Sequence, residues 1–306
     1  MRVEFVKAVT QVFAQDERAV FLTGDLGYNA LEALQQAYPT RFINAGVAEQ
    51  NMVGVACGLA LAGYRPWVYS IAPFAVYRCL EQIRNDVCLH NLTVRLVGNG
   101  GGYTYGIMGS THHALEDLGV LKTLPNMQLY FPCSGSHLQA TVQQLQRTAG
   151  PAYLRLGISG FAQAQEALSE QPQTLTRHYS AGSQLTVVGV GHAVHLALAL
   201  GAERCQALGL DIFGLAQFPF DLQRDAAVVD SLRRTRRLLV LDEHYQDGSM
   251  AESLRAALPG DFAVHFACAR YHPKQTYGSA KHHLRQAELD PPQLLQRIQH
   301  MLRSER

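Results

Sequence analysis

Between residues 43 and 62 the sequence leaves a short strand, turns at Gly46 and enters Met52-Val53-Gly54-Val55-Ala56-Cys57-Gly58-Leu59-Ala60-Leu61-Ala62, which is apolar on nearly every face of a helix. A helix of that kind is expected to be buried. Glu49 falls in its first turn, so the pattern predicts a carboxylate in a mostly dry place just past the end of a strand. Burial disfavours its charge and the helix N-terminus favours it, a competition that lets a carboxylate hold or share a proton. A capping role alone accounts for most glutamates at such positions.

The text on either side repeats the same alternation. A helix over 3–14 precedes the apolar run 19–23, which has the length and composition of a buried parallel strand and ends at Gly24-Asp25. A carboxylate there stands where open α/β sheets place ligand contacts, although it also suits a turn. A strand over 66–70 leads through Ile71 into a helix reaching residue 86, with Phe74 and Tyr77 three apart on one face. Such a pair is ordinarily core. A strand over 93–97 opens into the glycine cluster 98–106, which lacks the Gly-Lys-Ser/Thr ending of a phosphate loop and reads as the flexible lip of a site. After a strand over 128–132, residues 159–184 become polar and aperiodic, an expected connection. Strands over 185–191, 210–213, 238–242 and 262–266 then alternate with helices over 192–208, 222–233 and 248–258. The expectation is an α/β protein of two consecutive α/β domains, residues 1–158 and 185–306, joined by a linker over 159–184.

Composition narrows the function classes. With 306 residues, 47% hydrophobic, and a formal charge of +1 spread along the chain, nothing asks for nucleic acid or an anionic membrane. No apolar run approaches the roughly 18 residues of a membrane span, and Met1-Arg2-Val3-Glu4 lacks a signal-peptide core, which reads as cytoplasmic. The six cysteines are scattered without close pairs and are expected to be reduced and structural.

Gly46-Val47-Ala48-Glu49-Gln50-Asn51-Met52-Val53-Gly54 resembles the pyrimidine-binding segment of thiamine-diphosphate enzymes of the transketolase group. The resemblance implies that Glu49 hydrogen-bonds N1′ of the cofactor's aminopyrimidine and favours the tautomer able to take the thiazolium proton. It further implies that Phe74 stacks on the aminopyrimidine, with Ile71 and Tyr77 at neighbouring positions, and that Asp25 lies near the thiazolium. Gly109-Ser110-Thr111-His112-His113, followed by Glu116-Asp117, is similar to the Gly-Pro-Thr-His-Gln segment of the family. His112 matches its substrate-facing histidine, able to polarise a carbonyl or move a proton. His113 reads as a surface or helix-start residue. Arg155 matches an arginine that binds substrate phosphate, and Arg2 is a weaker candidate for that role; a guanidinium can equally hold an internal carboxylate. Residues 185–306, with Asp242-Glu243-His244 and Gly248-Ser249, resemble the transketolase C-terminal domain, in which His244 is expected to be structural.

The chain also departs from the family. Met108 stands where transketolases carry an acidic residue, and the glycine loop near Gly100 takes the place of an upstream histidine, so the donor pocket differs from the usual one. No Gly-Asp-Gly occurs, the motif that begins the family's metal site for the cofactor diphosphate. The resemblance therefore implies the C-terminal subunit of a split enzyme. Thiamine diphosphate would be shared with an N-terminal diphosphate-binding partner that holds Mg2+ or another divalent metal, in an α2β2 assembly acting on a sugar or small carbonyl substrate. Two-carbon ketol transfer is the first reading. The β subunit of a 2-oxo acid dehydrogenase's decarboxylating component is the second, and a non-catalytic partner homologue the third.

Overall fold

The computed structural model describes residues 1–157, 174–180, 182–220, 222, 225–270 and 277–304. Six parallel strands form the body of the first sheet: β1 (Ala19–Thr23), β2 (Phe42–Asn44), β3 (Arg65–Ile71), β4 (Arg95–Asn99), β5 (Gln128–Tyr130) and β6 (Ala152–Leu156). Their order in space is β5-β6-β4-β3-β1-β2. Strands β1, β4 and β6 are buried along their whole length, as expected of strands with helices on both faces. From β1 the chain turns to β2 on one side and then crosses back to β3 on the other. That reversal opens a crevice beyond the carboxyl ends of β1 and β3, the place where open α/β sheets bind ligands.

The second sheet is built from β7 (Leu175–Ser180), β8 (Leu185–Val190), β9 (Leu210–Leu215), β11 (Arg237–Tyr245) and β12 (Ala263–Ala269), in the order β12-β11-β8-β9-β7. All neighbours are parallel except β7, which runs antiparallel to β9. The short β10 (Gln217–Phe218) leaves this half and pairs antiparallel with β5, extending the first sheet to seven strands.

Two expectations are corrected here. Residues 175–180 lie inside the expected linker but form β7; Leu-Thr-Arg-His-Tyr-Ser has no apolar run, because only part of an antiparallel edge strand needs burial. Most of the remainder of that linker falls outside the described residues. The helix Glu49–Leu61 is not buried all round: Met52, Val53, Ala56 and Cys57 face the core, whereas Gly54, Val55 and Gly58 are exposed and Leu61 is 72% exposed. No atom comes within 4 Å of the place where a Cβ on Gly54 or Gly58 would stand. Among the described residues no helix is long and apolar enough to cross a membrane, and all six cysteines are free, buried thiols.

The two halves share one apolar cluster, in which Leu129 and Phe131 of the first meet Phe213 and Val240 of the second. Polar ties run alongside it. Tyr245 N donates to Leu115 O (2.9 Å), Gly119 N to His244 Nε2 (3.1 Å), and Lys122 Nζ to Ser253 Oγ (2.7 Å). His244 is thus buried and structural, as expected from the sequence.

Within the seam Asp117, Asp242 and Glu243 lie in the interior near Arg155. Neither oxygen of Asp242 has a hydrogen-bond partner. Burial pushes its carboxyl up to about 6, against the pull of His244 and Arg155. A carboxyl whose folded value lies above its unfolded one costs nothing where both states are protonated, and costs progressively more as pH rises from about 4 through 6. At neutral pH the penalty is on the order of 2–3 kcal/mol. Asp242→Asn is therefore expected to raise the thermal midpoint at pH 7.5, with the gain fading as the pH falls to about 4. Melting curves across that range check it; a variant less stable at pH 7.5 would show that Asp242 has a partner worth more than its desolvation.

Candidate active site

Glu49 is the first residue of its helix, and the turn before it brings the side chain back under the end of β1. It is 1% exposed. Its Oε1 accepts from Ser70 Oγ in β3 (3.2 Å) and its Oε2 accepts from Arg78 Nη1 (2.6 Å). Gly24, immediately after β1, faces the same carboxylate: a Cβ there would stand 3.4 Å from Oε1. Glu49 is thus fixed at the fold's reversal point by Ser70 of β3 and by Arg78, just past the helix that follows β3.

That following helix is shorter than the sequence suggested. It spans Ala72–Val76, breaks at residues 77–79, and resumes as Leu80–Gln82 running into a π-helix over Ile83–Cys88, in place of one helix through 86. The break sends Phe74, Tyr77 and Arg78 to separate tasks. The half-buried Phe74 ring meets the His112 ring edge-on with centroids 5.0 Å apart, and carries the Arg78 guanidinium 4.6 Å above its centroid. Tyr77 Oη donates to Glu116 Oε2 (2.7 Å) and accepts from Glu116 N (3.1 Å), tying this segment to the loop behind His112. Burial first, then the Asp117 and Glu116 carboxylates, push the Tyr77 phenol well up, so it stays protonated as the donor this tie needs. Ile71, half-buried at the end of β3, borders Ser70 and the Phe74 helix.

His112 closes a short helical turn, Ser110–His112, and is partly exposed. Thr111 Oγ1 lies 3.0 Å from its Nδ1, which leaves Nε2 as the nitrogen able to serve a substrate. Tyr105 stands 6.5 Å away, ring to ring, and its Oη accepts from Asn99 Nδ2 at the end of β4 (2.6 Å). Arg2 is exposed at the start of the helix Arg2–Gln15, and its positive charge is felt at Tyr69, Tyr105 and Glu32. Ile107 and Met108 form an exposed apolar lip just after the glycine loop, 73% and 48% exposed.

Asp25 follows Gly24 in the chain. With φ +57° it takes a left-handed backbone, held by Asn44 Nδ2 (2.9 Å) and Tyr28 Oη (3.2 Å), both donating to its Oδ1. It rims a cavity of about 230 Å3 whose walls include Thr23, Tyr28, Leu31, Phe42 and Asn44.

Two expectations change. Arg155 does not reach a solvent-open site: its side chain is 3% exposed, its Nε lies 3.1 Å from Asp117 Oδ2, and its Nη2 donates to Ala114 O (2.6 Å) and Glu243 O (3.3 Å). The guanidinium holds an internal carboxylate, because its strand faces the seam between the halves. His113, read as a surface or helix-start residue, is buried edge-on to Tyr103 and His283. Sequence reasoning passed over Ser70 and Arg78. Arg78 lies four residues after Phe74, a spacing that could have suggested its stack, but its bond to Glu49 crosses 29 positions.

The arrangement suits a flat, weakly basic heterocycle: an aromatic face, a buried carboxylate at one edge, and a histidine beside both. The planar cation now lying on that face and bonded to that carboxylate shows that a heterocycle's two contacts are compatible here. The crevice thus lies at the reversal point of a doubly wound α/β sheet, lined by a carboxylate, an aromatic ring and a histidine. Residues 1–161 match the model of the transketolase pyrimidine binding domain, and the chain belongs to the transketolase family.

Among its relatives, the chain is 30% identical over 259 residues to one subunit of the apulose-4-phosphate transketolase of Phocaeicola vulgatus, covering 81% of this chain and 80% of that one. It is 28% identical over 261 residues to a 6-deoxy-6-sulfo-D-fructose transketolase subunit of a Clostridium species, covering 84% and 80%. A solved structure described as a split gene transketolase, inactive beta4 tetramer, superimposes with a TM-score of 0.84 at 28% identity, covering 100% of this chain and 99% of that one. The chain thus corresponds to the C-terminal subunit of such two-part transketolases.

Proposed function

We propose that this chain forms half of a thiamine-diphosphate-dependent transketolase that moves a two-carbon ketol unit from a ketose donor to an aldehyde acceptor in the cytoplasm. The other half, a separate N-terminal subunit, supplies the site for the cofactor diphosphate and its Mg2+, and two copies of each chain build an α2β2 assembly. The observation that carries this reading is that Arg78 links the Glu49 carboxylate to the Phe74 ring, whose other neighbour is His112, at the reversal point of the first sheet. Two neighbours described as single subunits of transketolases support a divided enzyme, and a third described as an inactive tetramer of beta chains supports dependence on a partner. The open face of the Glu49–Leu61 helix, with Gly54 and Gly58 uncovered, gives a surface onto which another chain can pack closely.

When bound, the cofactor supplies a carbon nucleophile for a ketose carbonyl. The residues of this chain prepare and serve it. Glu49 holds a proton at the pyrimidine edge, kept in register by Ser70, and Phe74 with Ile71 gives the ring its bed. Tyr77 locks the Phe74 segment to Glu116 so that His112 stays beside that bed. His112, with Nδ1 occupied by Thr111, offers Nε2 to the substrate oxygen, polarising the carbonyl and moving a proton during carbon–carbon cleavage. Asp25 contributes negative charge on the thiazolium side, and Arg2 offers an exposed guanidinium to an anionic group on the substrate. The apolar pair Ile107 and Met108, where an acidic residue would grip a sugar hydroxyl, favours a donor less hydroxylated at that point than an ordinary ketose phosphate.

Co-expression with the diphosphate-domain chain encoded beside it, purification through a tag on one chain, and calorimetric titration of thiamine diphosphate with Mg2+ test the reading. A stable complex that binds the cofactor, where this chain alone does not, is the expected result. Full ketol transfer by this chain with no other protein present would refute the divided enzyme.

A further inference from the structure

Arg78 joins two features that the proposed function assigns to the cofactor. Its guanidinium lies 4.6 Å above the Phe74 centroid, and its Nη1 donates to Glu49 Oε2 at 2.6 Å. A guanidinium is planar, delocalised and rich in N–H donors, so it stacks on an aromatic face while bonding a carboxylate at its edge. Those are the two contacts an aminopyrimidine needs at this place, a ring on Phe74 and a ring nitrogen on Glu49. Resting on the pyrimidine-binding reading, we propose that Arg78 is a placeholder: in the cofactor-free subunit it occupies the position of the aminopyrimidine, and it swings outward when the ring arrives.

The surroundings leave it that role. The Glu49 Oε1 side is taken by Ser70 and closed by Gly24, so Oε2 is the oxygen open to a newcomer, and Arg78 holds it. His112 meets the Phe74 ring edge-on, whereas Arg78 covers the ring's face. Arg78 itself is 43% exposed and stands where the helix Ala72–Val76 has already ended, so it can rotate into solvent without disturbing the core. The benefit is to the free chain. A carboxylate that is 1% exposed and has only the Ser70 hydroxyl as donor is costly, and Arg78 lowers that cost until the cofactor takes over. The same contact competes with binding, since the affinity of a site falls with the fraction of molecules in which it is closed.

A placeholder predicts two effects of opposite sign. In the complex with the partner chain, Arg78→Ala is expected to tighten thiamine diphosphate binding, measured calorimetrically with Mg2+, by about three- to tenfold, the range for losing one half-exposed ion pair and its ring contact. In the cofactor-free subunit the same substitution is expected to lower the thermal midpoint by a few degrees. Arg78→Lys, which keeps the charge but not the plane, should restore the free subunit's midpoint and serves if the alanine variant folds poorly. Weaker cofactor binding with an unchanged midpoint would overturn the proposal and make Arg78 a cofactor contact. Losses in both would overturn it in favour of a scaffold residue. A parent complex that forms but takes up no cofactor would overturn the pyrimidine-binding reading as well, an outcome distinct from a parent that binds and a variant that binds less.

Discussion

Glu49→Gln should reduce ketol transfer by the reconstituted complex by about two to four orders of magnitude while leaving the subunit folded, the range expected for losing a positioned acid–base group. An amide at this position keeps the shape and can still accept from Ser70 Oγ, but it cannot exchange a proton with a ring nitrogen. The loss should fall on kcat more than on cofactor affinity, because Phe74 and the partner chain still hold the ring and diphosphate. The free subunit tolerates the change well, since the guanidinium left unpaired is Arg78, which is half-exposed and readily hydrated. Single-turnover rates and cofactor titration on parent and variant check this. Ketol transfer within tenfold of the parent would remove Glu49 from the chemistry and leave it as a helix-start residue.

The second large effect is on stability. Arg155→Met is expected to cost about 3–5 kcal/mol, the range for breaking a buried ion pair from one side. Asp117 has no exposure, its Oδ1 lacks a hydrogen-bond partner, and Oδ2 would retain only the Tyr153 hydroxyl at 2.8 Å. Adding Asp117→Asn should recover much of the loss, because no charge then remains stranded, and the cycle of single and double variants in denaturant unfolding reports the coupling. A single variant as stable as the parent but with a raised KM for a phosphorylated substrate would instead return Arg155 to the substrate.

These two residues also show what the linear text conveys and what it does not. Glu49, Phe74 and His112 could be picked out because each lies within a short contiguous motif whose local structure, strand then turn then helix, fixes where the side chain goes. Arg155 is the opposite case, because a motif gives a residue's strand but not the face it projects from, nor that Asp117 meets it there from the start of a helix 38 positions away. Arg78 was passed over for a related reason: its meeting with Glu49 depends on a helix that stops at Val76, and nothing in the apolar pattern of 71–86 announces the break. The two parallel sheets were legible from runs such as Leu185-Thr186-Val187-Val188-Gly189-Val190, whereas β7 and β10 were not. Both of the latter are edge strands, and antiparallel partners make little demand on their composition. The uncovered face of the Glu49–Leu61 helix is the converse case. Its apolar text predicts burial on every side, whereas Gly54, Val55, Gly58 and Leu61 stay exposed in this chain, because an apolar pattern does not say which face the chain's own fold covers.

The pairing of Gln217–Phe218 with Leu129 and Tyr130 bears on how this molecule can be cut and recombined. A boundary drawn in sequence at residue 158 would strand a three-residue edge, β5, with its outer hydrogen-bonding groups bare. It would also divide an apolar cluster to which both halves contribute. The two halves are therefore not interchangeable modules. A chimera that grafts the first half of one such subunit onto the second half of another should carry its β10 with its β5, and exchanges that respect that border are the ones expected to give folded protein.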